Sequence, residues 1–315
     1  MITGTRKKIS IMTPCFNEEA GIKECYERVK EVFDTQLQEY DYEHLFIDNC
    51  SSDSTVVILK AIAANDSNVK IIVNSRNFGL SRSPYYGMLQ MTGDAFVPMV
   101  ADLQTPPGVI PELVHKWEAG YKMVLCIRVK MSEGIFIRFA RNLYYRIIKK
   151  LSAIEQIEHF LGFGLFDKKI IQILKEIDDP TPYFRGIISE IGFEKAFVEY
   201  HQPPRRHGKS RHSFFDLLEL AILGFTSYSK VPLRLMTVLG FAMSGMSLLV
   251  SLGYLIAKLL FWDSFDLGLA PLVIGFFFFA SIQMLCIGLV GEYIGVIFEK
   301  VQRRPLVIEK ERVNF

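Results

Sequence analysis

The chain has 315 residues, enough for one large domain or two of ordinary size. Half of them are hydrophobic and the mean hydropathy is +0.22, yet 22% are charged, so the average conceals a charged part up to about Tyr228 and an almost wholly apolar part from about Val231 to Phe298. A net charge of +2, with no basic stripe interleaved with aromatics, gives nucleic-acid binding no support. The five cysteines form no C-x-x-C pair and indicate neither a disulfide framework nor a zinc site.

Arg6, Lys7 and Lys8 lead into an apolar run, Ile9 to Pro14, that is too short for a secretory signal, so the charged part is expected to stay in the cytosol. Short apolar runs then alternate with helix-length segments. Ile9–Thr13, Leu45–Ile47, Val69–Val73, Ala95–Val100 and Met123–Ile127 read as strands. Glu18–Gln38, Asp53–Ala64, Ser81–Thr92 and Gly108–Ala119 read as helices, with Ser52 or Asp53 as N-cap of the second. Such alternation predicts an α/β domain with a mostly parallel sheet, in which ligands bind beyond the carboxyl ends of the strands.

Two basic amphipathic segments follow, Glu133–Leu151 and Ser213–Ser229, which are candidates for the membrane surface. Leu235–Ala257 and Leu267–Gly291 contain no charged residue, and each exceeds the roughly 20 residues that cross a bilayer. The short segment between them predicts a hairpin. Lys230 and Arg234 precede the first span and Lys300, Arg303 and Arg304 follow the second, while the connection carries Lys258 against Asp263 and Asp266. The positive-inside rule then places both termini in the cytoplasm. The expected organisation is a globular domain over 1–212, a juxtamembrane helix over 213–230, two spans within 231–299 (about 232–259 and 267–295) and a basic cytoplasmic tail over 300–315.

The expected strands end in polar clusters: Thr13-Pro14-Cys15-Phe16-Asn17-Glu18-Glu19, Asp48-Asn49-Cys50-Ser51-Ser52-Asp53, Ser75-Arg76-Asn77-Phe78-Gly79 and Ala101-Asp102-Leu103-Gln104-Thr105-Pro106-Pro107. One such end is usually a turn. Four on one edge point to a ligand. If the extended form persists, Asp102 and Gln104 project from the same side, and their oxygens suit a hard divalent cation of the kind that accompanies phosphates. An Asp in that place can equally cap the following helix.

These motifs in this order, with two apolar spans behind them, resemble the polyprenyl-phosphate glycosyltransferases, family 2 inverting enzymes with a GT-A fold that include dolichol-phosphate mannose synthase and the bacterial GtrB enzymes. Gly291-Glu292-Tyr293-Ile294-Gly295 and Arg303-Arg304-Pro305-Leu306 extend the resemblance to nearly the whole chain. It implies that Pro14, Asn17 and Glu18 line the nucleotide pocket with Asn77, that Asp48 holds the base, and that Asp102 and Gln104 hold Mg²⁺ or Mn²⁺ against the diphosphate. Arg206-His207-Gly208-Lys209-Ser210-Arg211-His212-Ser213 resembles the family's basic loop, which assigns the phosphate of the lipid acceptor or of the donor to Arg206, Ser210 and Arg211. A basic juxtamembrane segment drawn to anionic lipid carries the same charge.

Three departures stand out. Val100 occupies the place of the first Asp in the family's D-x-D-L-Q, Asn49 that of a second Asp after Asp48, and Leu161-Gly162-Phe163-Gly164 replaces G-D-F-R. The resemblance implies hexose transfer, with glucose from UDP-glucose as the expected case, to undecaprenyl phosphate, by a homo-oligomer (tetramers in the family) lying among membrane lipids. The rival readings are another sugar, such as mannose or an aminosugar, and a weakened family member that serves as a membrane scaffold or regulator.

Overall fold

The computed structural model describes residues 6–128, 157, 160–203, 231–261, 269–302 and 304–315. Both amphipathic segments and the basic loop with Arg206, Ser210 and Arg211 lie outside the described residues. Eight strands form one sheet: β1 Lys8–Cys15, β2 Asp41–Asp48, β3 Val69–Asn74, β4 Ala95–Pro98, β5 Met123–Arg128, β6 Phe160–Asp167, β7 Lys195–Tyr200 and β8 Glu309–Val313. The helices are α1 Ile22–Gln36, α2 Thr55–Ala63, α3 Gly79–Leu89, α4 Ile110–Glu118, α5 Lys168–Ile177, α6 Phe184–Glu190, α7 Val231–Leu260 and α8 Leu269–Val301.

The strand order is β7-β5-β6-β4-β1-β2-β3-β8. Its centre, β4-β1-β2-β3, is parallel, and β8 closes the β3 edge antiparallel. β6 lies antiparallel between β4 and β5, while β7 runs parallel to β5.

Alternation along the strands builds a core on each face. Ile9 and Ile11 of β1, Ala95 and Val97 of β4 and Val124 and Cys126 of β5 pack with Val29 and Phe33 of α1 and Leu113 and Trp117 of α4. The intervening Met12, Phe96, Met123 and Leu125 face the other way, onto Tyr85 and Met88 of α3, Ile170 and Leu174 of α5 and Ile187 of α6. The result is a three-layer, GT-A-like α/β domain. Complete burial of an aliphatic side chain such as Ile11 or Leu125 contributes about 1.5–3 kcal/mol.

Where the expected elements shift, local chemistry explains it. α1 begins at Ile22 rather than Glu18 because Glu18 and Glu19 are held by the loop after β2. α2 begins at Thr55, with Ser54 in the cap position and making no side-chain cap bond; Asp53 Oδ1 accepts the Thr55 N–H at 3.0 Å instead. β4 stops at Pro98, short of Val100.

The basic tail folds back as β8. Lys60 pairs with Glu311 at 2.7 Å, and Asn314 Nδ2 donates to the Ala63 carbonyl at 2.8 Å. By length and composition, Phe278–Val301 within α8 is the one stretch among the described residues able to cross a membrane, with 24 residues and a mean hydropathy of 1.7. α7 carries a shorter apolar run, Met236–Ser247.

Candidate active site

The four connections beyond the carboxyl ends of β1 to β4 are irregular; those after β1, β2 and β4 hold Asn17 (φ 55°), Cys50 (67°) and Leu103 (58°), and that after β3 runs into α3 at Gly79 (84°). Left-handed backbone is unfavourable for Cys and Leu, and such strain gathers where a site requires it.

Pro14 lies in β1 opposite Ile47, past Met12, where β4 has already ended, so its missing N–H leaves no ladder bond unmade. Asn17 then joins the first two loops. Its N–H donates to Ser51 Oγ at 2.8 Å, and its Oδ1 accepts the Ser52 N–H at 2.7 Å. The Glu18 N–H donates to Thr55 Oγ1 at 2.9 Å, and Glu19 Oε2 accepts the Ser54 N–H at 2.9 Å.

Asp48 is fully buried at the end of β2. Its Oδ2 accepts the Ser51 N–H at 2.9 Å and its Oδ1 accepts the Ser51 hydroxyl. The adjacent Cys15 thiol is pushed well up by burial and by Asp48, which keeps it protonated.

Asn49 clamps the second loop to the third. Its Nδ2 donates to Asn77 Oδ1 at 2.9 Å and to the Gly79 carbonyl at 3.2 Å, while its Oδ1 accepts from Asn74 Nδ2 and from the Phe78 N–H at 2.9 Å. A carboxylate here would lose both donations. The Asn at this position is therefore a structural requirement of this loop pair, one that the sequence motif alone gave no reason to expect.

The fourth loop corrects the strand-based geometry of the metal motif. Asp102 and Gln104 lie in a turn, not on an extension of β4, and Leu103 at positive φ removes the i, i+2 relation. Pro98 cannot donate to a ladder, and Asp102 Oδ1 takes the Gln104 N–H at 3.1 Å. Asp102 does not cap the next helix either, since the 3₁₀ turn Pro107–Val109 and then α4 begin beyond it.

Ala101 and Leu103 are buried, which leaves Asp102 and Gln104 half-buried between them and Val100 exposed. Cys25, in the first turn of α1, lies in the field of Asp102, Glu18 and Glu24. Its thiol is pushed up to about 12, first by burial and further by these carboxylates. Asn77 belongs to the Asn49 clamp.

Gly162 and Gly164 show that the third departure is built into the backbone. Gly162 has φ 101°, and a Cβ on Gly164 would collide with the Val124 carbonyl of β5 and come within 3.2 Å of the Leu125 Cα. An Arg at Gly164 would have to move β5 or β6, and an Asp at Gly162 would have space but sit at a strained φ.

The residues fit a cation only in part. The oxygen donors of Asp102 and Gln104 suit Mg²⁺ or Mn²⁺. Among the described residues no three His, Cys, Asp or Glu side chains gather to hold one. A cation here needs the oxygens of a diphosphate as well.

The glycosyl transferase family 2 model matches residues 10–192, which include all four loops. Over 300 residues the chain is 37% identical to a Bacillus subtilis glycosyltransferase, YkcC, covering 95% of this chain and 92% of that one. It is 34% identical over 305 residues to the SfII prophage-derived bactoprenol glucosyl transferase of Shigella flexneri, covering 96% and 98%. Among solved structures it is similar to a mannosyltransferase of Pyrobaculum calidifontis in complex with GDP-Man and Mn²⁺, at 15% identity, a TM-score of 0.44 and coverage of 95% and 88%. The match spans more than half of the chain and the relatives nearly all of it: the chain is a glycosyltransferase and belongs to family 2.

Proposed function

We propose that the protein transfers glucose from UDP-glucose to a polyprenyl phosphate at the cytoplasmic face of the membrane, with inversion at the sugar. The observation that carries this reading is the near full-length similarity to a bactoprenol glucosyl transferase, taken with four polar strand ends on one sheet edge. Pro14, Asn17, Glu18, Asp48 and Asn77 would receive the nucleotide, with Asn17 and Asn49 fixing the loops that carry them. Asp102 and Gln104 would meet the diphosphate, and a divalent cation shared with it would supply charge neutralisation for the leaving group.

A phosphate oxygen of the acceptor attacks the anomeric carbon as the bond to UDP breaks. The electron pair leaves with the diphosphate, and an α-linked donor gives a β-linked product. The acceptor is already an anion, so no general base is needed, and positioning is the protein's main contribution. Arg206, Ser210 and Arg211 would grip the acceptor phosphate.

α7 and α8 would form a transmembrane hairpin that keeps this edge at the interface, with both termini cytoplasmic, and chains would associate as tetramers. The test is full-length protein in detergent with undecaprenyl phosphate, Mn²⁺ and labelled UDP-glucose, GDP-mannose or UDP-N-acetylglucosamine. Labelled lipid from UDP-glucose is expected. Labelled lipid from another donor alone would overturn the sugar, and none from any donor would overturn the reading.

A further inference from the structure

The end of α8 is fastened to the sheet domain beside the loop after β3. Lys300 pairs with Asp179 at 3.1 Å, Arg82 Nη2 donates to the Pro305 carbonyl at 2.7 Å, and the Ser75 N–H donates to the Ile308 carbonyl at 2.9 Å. Arg82, Tyr86 and Gln90 lie four residues apart on one face of α3 and its end, and all three bond to the returning tail. The fastening crowds positive charge. Arg76 stacks over the Phe78 ring at 4.1 Å, and the Arg82 guanidinium lies 5.9 Å from the same ring.

Among the described residues Arg76 and Arg304 repel the Arg82 guanidinium, and Glu299 attracts it. Burial and then Arg76 hold its guanidinium below the usual arginine range. Arg82 Nε is buried and without a hydrogen-bond partner among the described residues. Two guanidinium groups on one ring, with Arg304 beside the Pro305 that Arg82 holds and with Arg82 Nε left over, make an arrangement that an anion completes. Planar forks of this kind match phosphate oxygens. The cluster lies where the apolar stretch Phe278–Val301 ends, the level at which lipid headgroups begin if that stretch spans the bilayer.

We propose that Arg76 and Arg82, which share the Phe78 ring, together with Arg304, which precedes the Pro305 that Arg82 holds, form a binding site for the phosphate of an anionic membrane lipid. Its residues are other than those of the basic loop assigned to the acceptor. Through Arg76 the site abuts Asn77, so a headgroup there would tie the candidate active-site edge to the membrane surface.

Full-length protein in neutral detergent, titrated with phosphatidylglycerol, phosphatidylcholine or inorganic phosphate and read by native mass spectrometry, tests this. Phosphatidylglycerol should be retained in preference to phosphatidylcholine. Arg304→Gln and Arg82→Gln should each weaken it by about tenfold, the size of one lost charge-assisted bond. Lys310→Gln, the same loss of charge on exposed β8, should change it little. Arg304→Gln keeps the test open if Arg82→Gln loosens the tail. Competition by inorganic phosphate, itself weakened in Arg304→Gln, would support recognition of the phosphate group. Equal retention of phosphatidylcholine, or arginine variants no weaker than Lys310→Gln, would overturn the site. Binding of inorganic phosphate without phosphatidylglycerol would overturn the lipid assignment.

Discussion

The two edges of the parallel sheet use polar residues for opposite ends. At the amino edge, Glu43 of β2 is 3% exposed and its oxygens are saturated. Oε2 accepts from Lys8 at 2.7 Å and Lys70 at 2.8 Å, while Oε1 accepts from Ser10 at 2.6 Å and the Thr92 N–H at 2.8 Å. Burial alone would raise this carboxyl; the bonds from Lys70, Lys8, Ser10 and Thr92 outweigh it and hold the group down at about 2. Gly93 completes the knot, because a Cβ there would meet Ser10 Oγ at 2.6 Å. The backbone at Ser10, Glu43, Thr92 and Gly93 is free of positive φ. At the carboxyl edge the polar groups hold one loop against another, the backbone is left-handed at Asn17, Cys50 and Leu103, and Asp102, Gln104 and Asn77 reach solvent. Charge spent on closing the fold is buried and matched strand to strand. At the carboxyl edge Asp48 is buried as well, while Asp102 and Gln104 stay accessible in a turn.

Substitutions at the two edges should therefore separate activity from stability. The largest effect expected is Asp102→Ala: sugar transfer should fall by about 10²–10³-fold with thermal stability nearly unchanged, measured by product formation and calorimetry on the same preparation. Glu43→Gln should do the reverse. It should lose about 3 kcal/mol of stability, because Lys8 and Lys70 are left without their charge, while turnover of the folded fraction persists. Asn49→Asp should blur the distinction. It removes the donations to Asn77 and Gly79 and sets a carboxylate against them, at a cost of about 2 kcal/mol and with weaker nucleotide binding in a UDP titration.

A further effect is in the pH profile, and near neutral pH it vanishes. His44 is fully buried, stacked on Phe46 at 4.0 Å, with Nε2 2.9 Å from Thr13 Oγ1 and Nδ1 without a partner among the described residues. Burial lowers it from 6.5 to about 3. The fold keeps it neutral while the unfolded chain takes up a proton, so its contribution is complete above pH 6.5 and drains as pH falls toward 3. Glu43, ordinarily at 4.5 and here at about 2, adds a second loss from pH 4.5 downward. Melting temperature should decline first below pH 6.5, and His44→Leu should flatten that first decline only.

Much of this contrast was legible in the residues. The first five strands and four helices follow from apolar periodicity, and the four polar strand ends from their positions. Other parts left no such trace. β6 has two glycines in its middle, and β8, Glu309–Val313, has four charged residues in five because it is an edge strand with little to bury. β7 alternates, with Ala196, Val198 and Tyr200 buried, but a large apolar Phe197, 46% exposed on its outer side, masks the period. The metal motif could be read for its chemistry and not for its shape. Nothing in Ala101–Pro107 marks Leu103 for positive φ, and the turn depends on where β4 loses its partner. Asn49 looked like a missing acid because its four hydrogen bonds come from residues far along the chain.

The central claim is that Asp102 serves a diphosphate-borne cation while the amino edge only closes the fold. Mn²⁺ binding followed by electron paramagnetic resonance, with and without UDP, tests it most directly. Wild type and Glu43→Gln, the latter held well below its melting temperature, should take up Mn²⁺ when UDP is present and not otherwise, and Asp102→Ala should take up none. Undiminished UDP-dependent Mn²⁺ binding by Asp102→Ala, or its loss in folded Glu43→Gln, would contradict the account.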